Sequence, residues 1–133
     1  MHSADRRELS EAEAFEIALS DHPEYAGPLA RGNLPHEIVD EHGNLMSPRL
    51  HLTMHAVVER QLAADDPKGV VAIASELDSL GFSAHDIRHE IASVLAEEMH
   101  TMLSGGQVFD EARYLAKLRA AVEAARRNGG PAR

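Results

Sequence analysis

Leu50-His51-Leu52-Thr53-Met54-His55-Ala56-Val57-Val58-Glu59 is the stretch on which the fold of this chain turns. Ser47 and Pro48 precede it as N-cap and first helical residue, where the missing proline N–H costs nothing and its φ is already helical. The pattern predicts a helix from Pro48 to about Ala64. Met54, Val58 and Leu62 mark its buried side, with Leu50 at the inner edge. His51 and His55 project from nearly the same face, one turn apart, and Glu59 follows at the next turn. Two inward imidazoles need a partner for each ring nitrogen, because an unpaired buried polar group costs about 1–3 kcal/mol. Hydrogen bonds at the core edge meet that demand, and spacing alone favours them. A metal ion meets it as well, by taking one nitrogen from each ring.

Upstream, Pro23, Pro28, Gly32, Pro35 and Gly43 interrupt residues 22–47, which read as an irregular connection. Ile38-Val39 and Leu45-Met46 flank a turn at His42-Gly43-Asn44, which fits a short hairpin or a packed loop equally. Before it, Ser10 and Glu13 form a capping box. Ala12, Phe15 and Leu19 then share one face of a first helix that Pro23 stops. Downstream, Asp66-Pro67 starts a third helix with a stripe of Val70, Ile73, Ala74, Leu77 and Leu80, ended by Gly81. A fourth opens at Ser83, with Asp86 in the capping position, and runs to about Leu103; Ile87, Ile91, Val94, Leu95 and Met102 face the core. A fifth spans about Asp110 to Arg127, with Leu115, Leu118 and Val122 inward. Its five cations from Arg113 to Arg127 read as a solvated face. The expected fold is all-α: one domain over residues 1–133, a bundle of about five helices with one long irregular connection between the first and second. Residues 1–9 and 129–133 are expected to be loose ends.

Composition narrows the function. A chain of 133 residues can bury one core, and with aromatics at only 4% that core must be aliphatic. A net charge of −9 and no basic stripe argue against a nucleic-acid partner. Met1 to Leu9 has no apolar signal region, and no apolar run approaches membrane-spanning length, so a cytoplasmic protein without a membrane partner is expected. Cysteine is absent, which leaves imidazole and carboxylate as the metal-binding side chains. Nine histidines are the compositional anomaly.

His85 and His89 repeat the four-residue spacing on the fourth helix. Ser93, Glu97 and His100 continue that polar stripe. Such a stripe is most often a solvated face, yet Ala92 and Ala96 beside it would let another helix approach, and His and Glu at successive turns are what bundle metal sites draw on. Glu98 lies on the apolar face and reads as a buried ion-pair member ahead of an extra ligand. In His22-Pro23-Glu24-Tyr25, either His22 or Glu24 can reach the mouth of a site. His2, His36 and His42 show no useful spacing and read as surface residues. There is no Gly-rich phosphate loop, no HExxH motif and no marked serine nucleophile.

These motifs together resemble a bacterial family, domain-of-unknown-function family 1841. The resemblance rests on His22-Pro23-Glu24-Tyr25; on Ser47-Pro48 followed by Leu50-His51, Met54-His55 and Gln61; on His85 to His89 with Glu97; and on Asp110-Glu111, Tyr114-Leu115 and Leu118. It spans most of the chain and implies that the histidines belong together, but implies no activity. Two positions depart from the family pattern, which often has a histidine where this chain has Ala26 and a glutamate where it has Ser93. If either is a ligand in relatives, the site here is thinner or is completed by Glu59, Glu24 or His100. Hemerythrin-like domains are a looser comparison through His55-x-x-x-Glu59 and His85-x-x-x-His89. Gly105 stands where their later aspartate would be required.

The leading expectation is a metal-binding helical bundle. His51, His55, His85, His89 and Glu97 would meet between the second and fourth helices, with Glu59 and His22 as secondary candidates. The ion would be divalent, zinc or iron ahead of manganese or nickel. A three-ligand site with an open position fits a metal-dependent hydrolase, whereas carboxylate bridges would fit a non-haem di-iron protein. The competing expectation is a metal-free acidic module that binds another protein or its own copy.

Overall fold

Four helix starts in this chain are set by side-chain caps. Ser10 accepts from the Glu13 N–H at 3.0 Å while the Glu13 carboxylate accepts from the Ser10 N–H, opening α1 (Glu11–Ser20). Ser47 accepts from the Leu50 N–H at 3.1 Å to start α3 (Pro48–Ala64), and Ser83 does the same through Asp86 for α5 (Ala84–Gly105). Asp110 caps α6 (Glu111–Arg127) through the Arg113 N–H. The computed structural model describes residues 8–39, 43 and 45–131. His2 and His42 lie outside these residues, as does most of the turn expected around Gly43.

Among the described residues there are six helices rather than about five. The additional one is α2 (Pro23–Ala30), inside the connection expected to be irregular. Pro23 follows the end of α1 but also occupies the first turn of α2, where proline is favoured. Pro28 removes one internal hydrogen bond, and the helix ends within a turn of it. Beyond it, β1 (Ile38–Val39) and β2 (Leu45–Met46) pair antiparallel, Ile38 opposite Met46 and Val39 opposite Leu45. Of the two readings of that stretch, the ribbon is the one found.

The helix α4 (Val70–Ser79) starts three residues later than Asp66-Pro67 predicts. Asp65 takes a left-handed conformation and its Oδ1 accepts from the N–H groups of Gly69 and Val71, both at 3.1 Å. Gly69, at φ 109°, supplies the turn into the helix. At the other end of the chain, Gly130 is buried with φ 123°, and a Cβ there would meet the Leu80 carbonyl oxygen at 2.8 Å. Residues 129–131 therefore dock against the α4–α5 turn instead of hanging free.

Packing places α3 between α1 on one flank and α5 on the other, while α6 packs on α4 and α5. The larger core joins Val58 to Val70, Ile73, Leu77, Ile91, Leu95, Tyr114, Leu118 and Val122. A smaller one joins Ala14 and Ala18 of α1 to Leu52 and Ala56 of α3. The inner face of α1 is thus two alanines, with Phe15 and Leu19 half-buried at its sides and Ala12 exposed. On α3, Met54 and Leu62 are only half-buried and Leu50 is 57% exposed, because the helix is covered from two directions. Buried carboxylates join the helices. Glu59 of α3 accepts from Arg88 Nε of α5 at 2.6 Å, and Glu98 of α5 meets Arg113 Nε and Lys117 Nζ of α6, both at 2.8 Å. Arg119 and Arg126 pair with Glu76 of α4. Four of the five α6 cations are inter-helix partners, because α6 lies between two helices that each offer a carboxylate.

Leu118 is 1% exposed in the larger core and Leu103 is 83% exposed. Leu118→Ala should cost about 2–5 kcal/mol in urea unfolding, and Leu103→Ala should stay within about 0.5 kcal/mol of the parent. Equal losses would contradict this assignment of the core.

Candidate metal centre

Three segments deliver imidazoles to one place. His22 sits at the joint between α1 and α2, as the N-cap residue of α2, and is buried. His51 and His55 come from successive turns of α3, and His89 comes from α5 across the helix pair. Each offers one ring nitrogen such that all four lie within 4.8 Å of one another. Ring centroids are 4.6 Å apart for His51–His55, 4.7 Å for His22–His55 and 5.0 Å for His55–His89. Tyr25 stacks on His22 at 5.9 Å and closes the α2 side.

Hydrogen bonds fix which nitrogens are available. His22 Nδ1 lies 2.8 Å from the Ala18 carbonyl oxygen, which can only accept, so the proton is on Nδ1. In the neutral ring Nε2 then holds a lone pair, and it lies 3.1 Å from His51 Nε2. That separation suits an N–H···N bond donated by His51. It also suits two ligands of one ion, since metal–nitrogen bonds of about 2.0–2.1 Å in a tetrahedron set the nitrogens about 3.3 Å apart. His55 decides more. Its Nε2 is fully enclosed and has no hydrogen-bond partner, while the residue is only 2% exposed.

The electrostatics keep His51 and His55 neutral. Burial, reinforced by His22 and His89 and opposed by Glu24, lowers the His51 pKa from 6.5 to about 4. Burial, with His51, His22 and His89 adding to it, lowers His55 to about 3. At neutral pH both carry free lone pairs, which is the ligand form of imidazole.

The other expected residues fall elsewhere. His85 is exposed at the rim, with its ring 5.0 Å from His89 and 6.0 Å from His22. Glu59 is turned away onto Arg88. Glu97 is exposed, with Lys117 as its ion-pair partner at 3.6 Å. Helical geometry explains both carboxylates. Each four-residue step rotates about 40° around the axis, and Glu97 is about 12 Å along α5 from His89. His100 is exposed beside Ser104, and His36 is exposed. His22, secondary in the sequence reading, is the residue the fold brings fully into the group. Its signal was the proline after it, which makes it the cap of a new helix that begins against α1.

A groove of about 550 Å³ opens on the outer side of the group, and His51 and His89 form part of its wall.

Residues 2–120 match the family described as Domain of unknown function (DUF1841). The chain belongs to that family. No curated protein and no solved structure matches it. The family description carries no activity, so function has to be argued from the histidine group itself.

The shifts also fix a pH dependence for metal-free protein. An unfolded chain protonates these histidines near pH 6.5, whereas the folded one does so near 4 and 3. Between those limits the unfolded state binds more protons, so stability falls as pH falls. The lowered carboxylates of Glu76 and Glu98 add to the loss only below their ordinary 4.5, which leaves pH 6.5 to 4.5 to the histidines. With chelator present, the melting temperature should drop across that window, and His55→Leu should flatten the drop. A parent profile level from pH 7 to 4.5 would contradict the burial of neutral rings.

Proposed function

We propose that this protein binds one divalent transition-metal ion through His22, His51, His55 and His89. The single observation that carries the reading is His55 Nε2, an enclosed polar atom without a partner on a ring grouped with three other imidazoles. Left alone it costs about 1–3 kcal/mol, and an ion at the centre of the group removes that cost while using the lone pair of His22. A nitrogen-only shell favours zinc or iron, with nickel behind them, over manganese, which prefers oxygen donors. It disfavours a carboxylate-bridged metal pair, because Glu59 and Glu97 are engaged by Arg88 and Lys117. His85 is positioned at the rim rather than in the shell.

Among reaction classes, hydrolysis suits such a site better than oxygen activation. Non-haem oxygenases rely on a carboxylate beside two histidines, and among the described residues none joins the group. Four protein ligands are otherwise the closed shell of a structural zinc site, so hydrolysis would require the ion to take a water or substrate oxygen as a fifth ligand.

Elemental analysis of the untagged full chain should give about one equivalent of zinc or iron, and His51→Ala/His55→Ala should retain less than about a tenth of that. A visible absorption band in the protein as isolated would select iron over zinc. Sub-stoichiometric metal in both proteins would overturn the reading in favour of a metal-free acidic interaction module. His55→Phe separates ligand from packing residue. In chelator the variant should be at least as stable as the parent, since it removes an orphaned polar atom, while the stabilisation conferred by added zinc should disappear. A variant that loses stability in chelator yet still responds to zinc would show that His55 is a packing residue.

A further inference from the structure

We propose that the groove beside His51 and His89 takes a monocarboxylate with an alkyl tail, its head joining the ion and its tail running along α5. The inference rests on the proposed metal site and adds the chemical class of its ligand.

Position comes first. His51 and His89 belong to the four-nitrogen group and also line the groove, so whatever enters it reaches the same ion. Charge comes second. All four donors of the group are imidazoles, which bind a metal through a neutral lone pair and so leave the ion its positive charge. Glu59 is neutralised by Arg88, and Glu97 is paired with Lys117. Glu24, exposed on α2, is the carboxylate whose charge reaches His51. One negative charge does not balance a divalent ion, so a further anionic oxygen donor is the complement.

The walls then limit what that anion can be. Away from the histidines, Leu45, Met46, Leu50 and Met54 stand over a floor of Ala92 and Ala96. Leu45 and Leu50 are 69% and 57% exposed, large apolar side chains that a bound tail would cover. Ser47 and Ser93 supply the hydroxyls of the groove, and among the described residues no lysine or arginine lines it. A phosphate or a second carboxylate would therefore find no cationic side chain to balance its further charge. One anionic head and an apolar tail match the lining, and about 550 Å³ falls in the range of small-ligand sites.

The test uses the full chain loaded with cobalt(II), whose visible bands report on its ligands, titrated with acetate and with octanoate. Both should perturb the bands, octanoate at least about ten-fold more tightly, because each buried methylene favours binding. Ala96 is exposed, so Ala96→Phe should fold, fill the floor and cut the advantage of octanoate to within about two-fold while cobalt stoichiometry stays the same. Leu50→Ala, on the opposite wall, should also reduce the advantage. With cobalt bound, an octanoate affinity no better than that of acetate overturns the groove assignment and leaves the metal site standing. So does an advantage that survives both substitutions. Failure of the parent to bind cobalt overturns the metal site and this inference with it.

Discussion

The arrangement depends on one constraint: α3 is covered on both flanks, by α1 and by α5, and it carries polar side chains into that cover. Each must then be met by a group from another element. Gln61 receives the Tyr114 hydroxyl at 2.7 Å from α6. Glu59 receives Arg88 from α5, and His51 meets His22 from the α1–α2 joint. His55 Nε2 is where the accounting fails. A buried nitrogen orphaned among satisfied neighbours is a demand the protein chain does not meet by itself. The residues grouped around it are three further imidazoles.

How the carboxylates are used sharpens this. The chain is strongly acidic, yet its two most buried glutamates are both spent on bridging helices. Hydrogen bonds from Lys117 and then Arg113 hold Glu98 below the ordinary carboxylate range against the opposing effect of burial. Breaking such a pair strands a charge, whereas an intact pair adds little net stability. These residues therefore specify how the helices align more than how tightly they hold. With Glu59 and Glu98 committed to that task, the histidine group is left without a buried carboxylate. That absence is what moves the proposed chemistry from a bridged metal pair to a single nitrogen-ligated ion.

Much of this is legible in the sequence. Ser47-Pro48 marks the start of α3, the i, i+4 histidines mark the face on which the imidazoles gather, and Glu98 on an apolar stripe marks a buried ion pair. What escaped did so for physical reasons. The buried face of α1 is Ala14 and Ala18, residues too small to produce a hydrophobic stripe, although their size lets α1 seat closely on α3. The helix α2 was hidden because Pro23 was taken as the end of one helix, when its geometry equally suits the start of the next. Glu97 looked like a ligand because spacing gives a direction around the axis but says little about distance along it. The α6 cations looked solvated because their partners are on α4 and α5, and pairing between helices leaves no trace in local periodicity.

The same placement separates stability from the site. The main core lies among α3, α4, α5 and α6 and includes none of the four histidines. By contrast, α2 has no buried residue, and its N-cap makes no side-chain hydrogen bond to the helix. Its attachment comes down to His22, held by the Ala18 carbonyl and His51, with Tyr25 stacked behind it. An ion on His22 would tie that weakly packed segment to α3 and α5, the two helices that the core already fixes. Local openings in proteins draw on such thinly packed elements and spare the core. Gain or loss of the ion should therefore be felt first between residues 22 and 30, in the order of α2 and the cover it gives the site, and only afterwards in the bundle beneath.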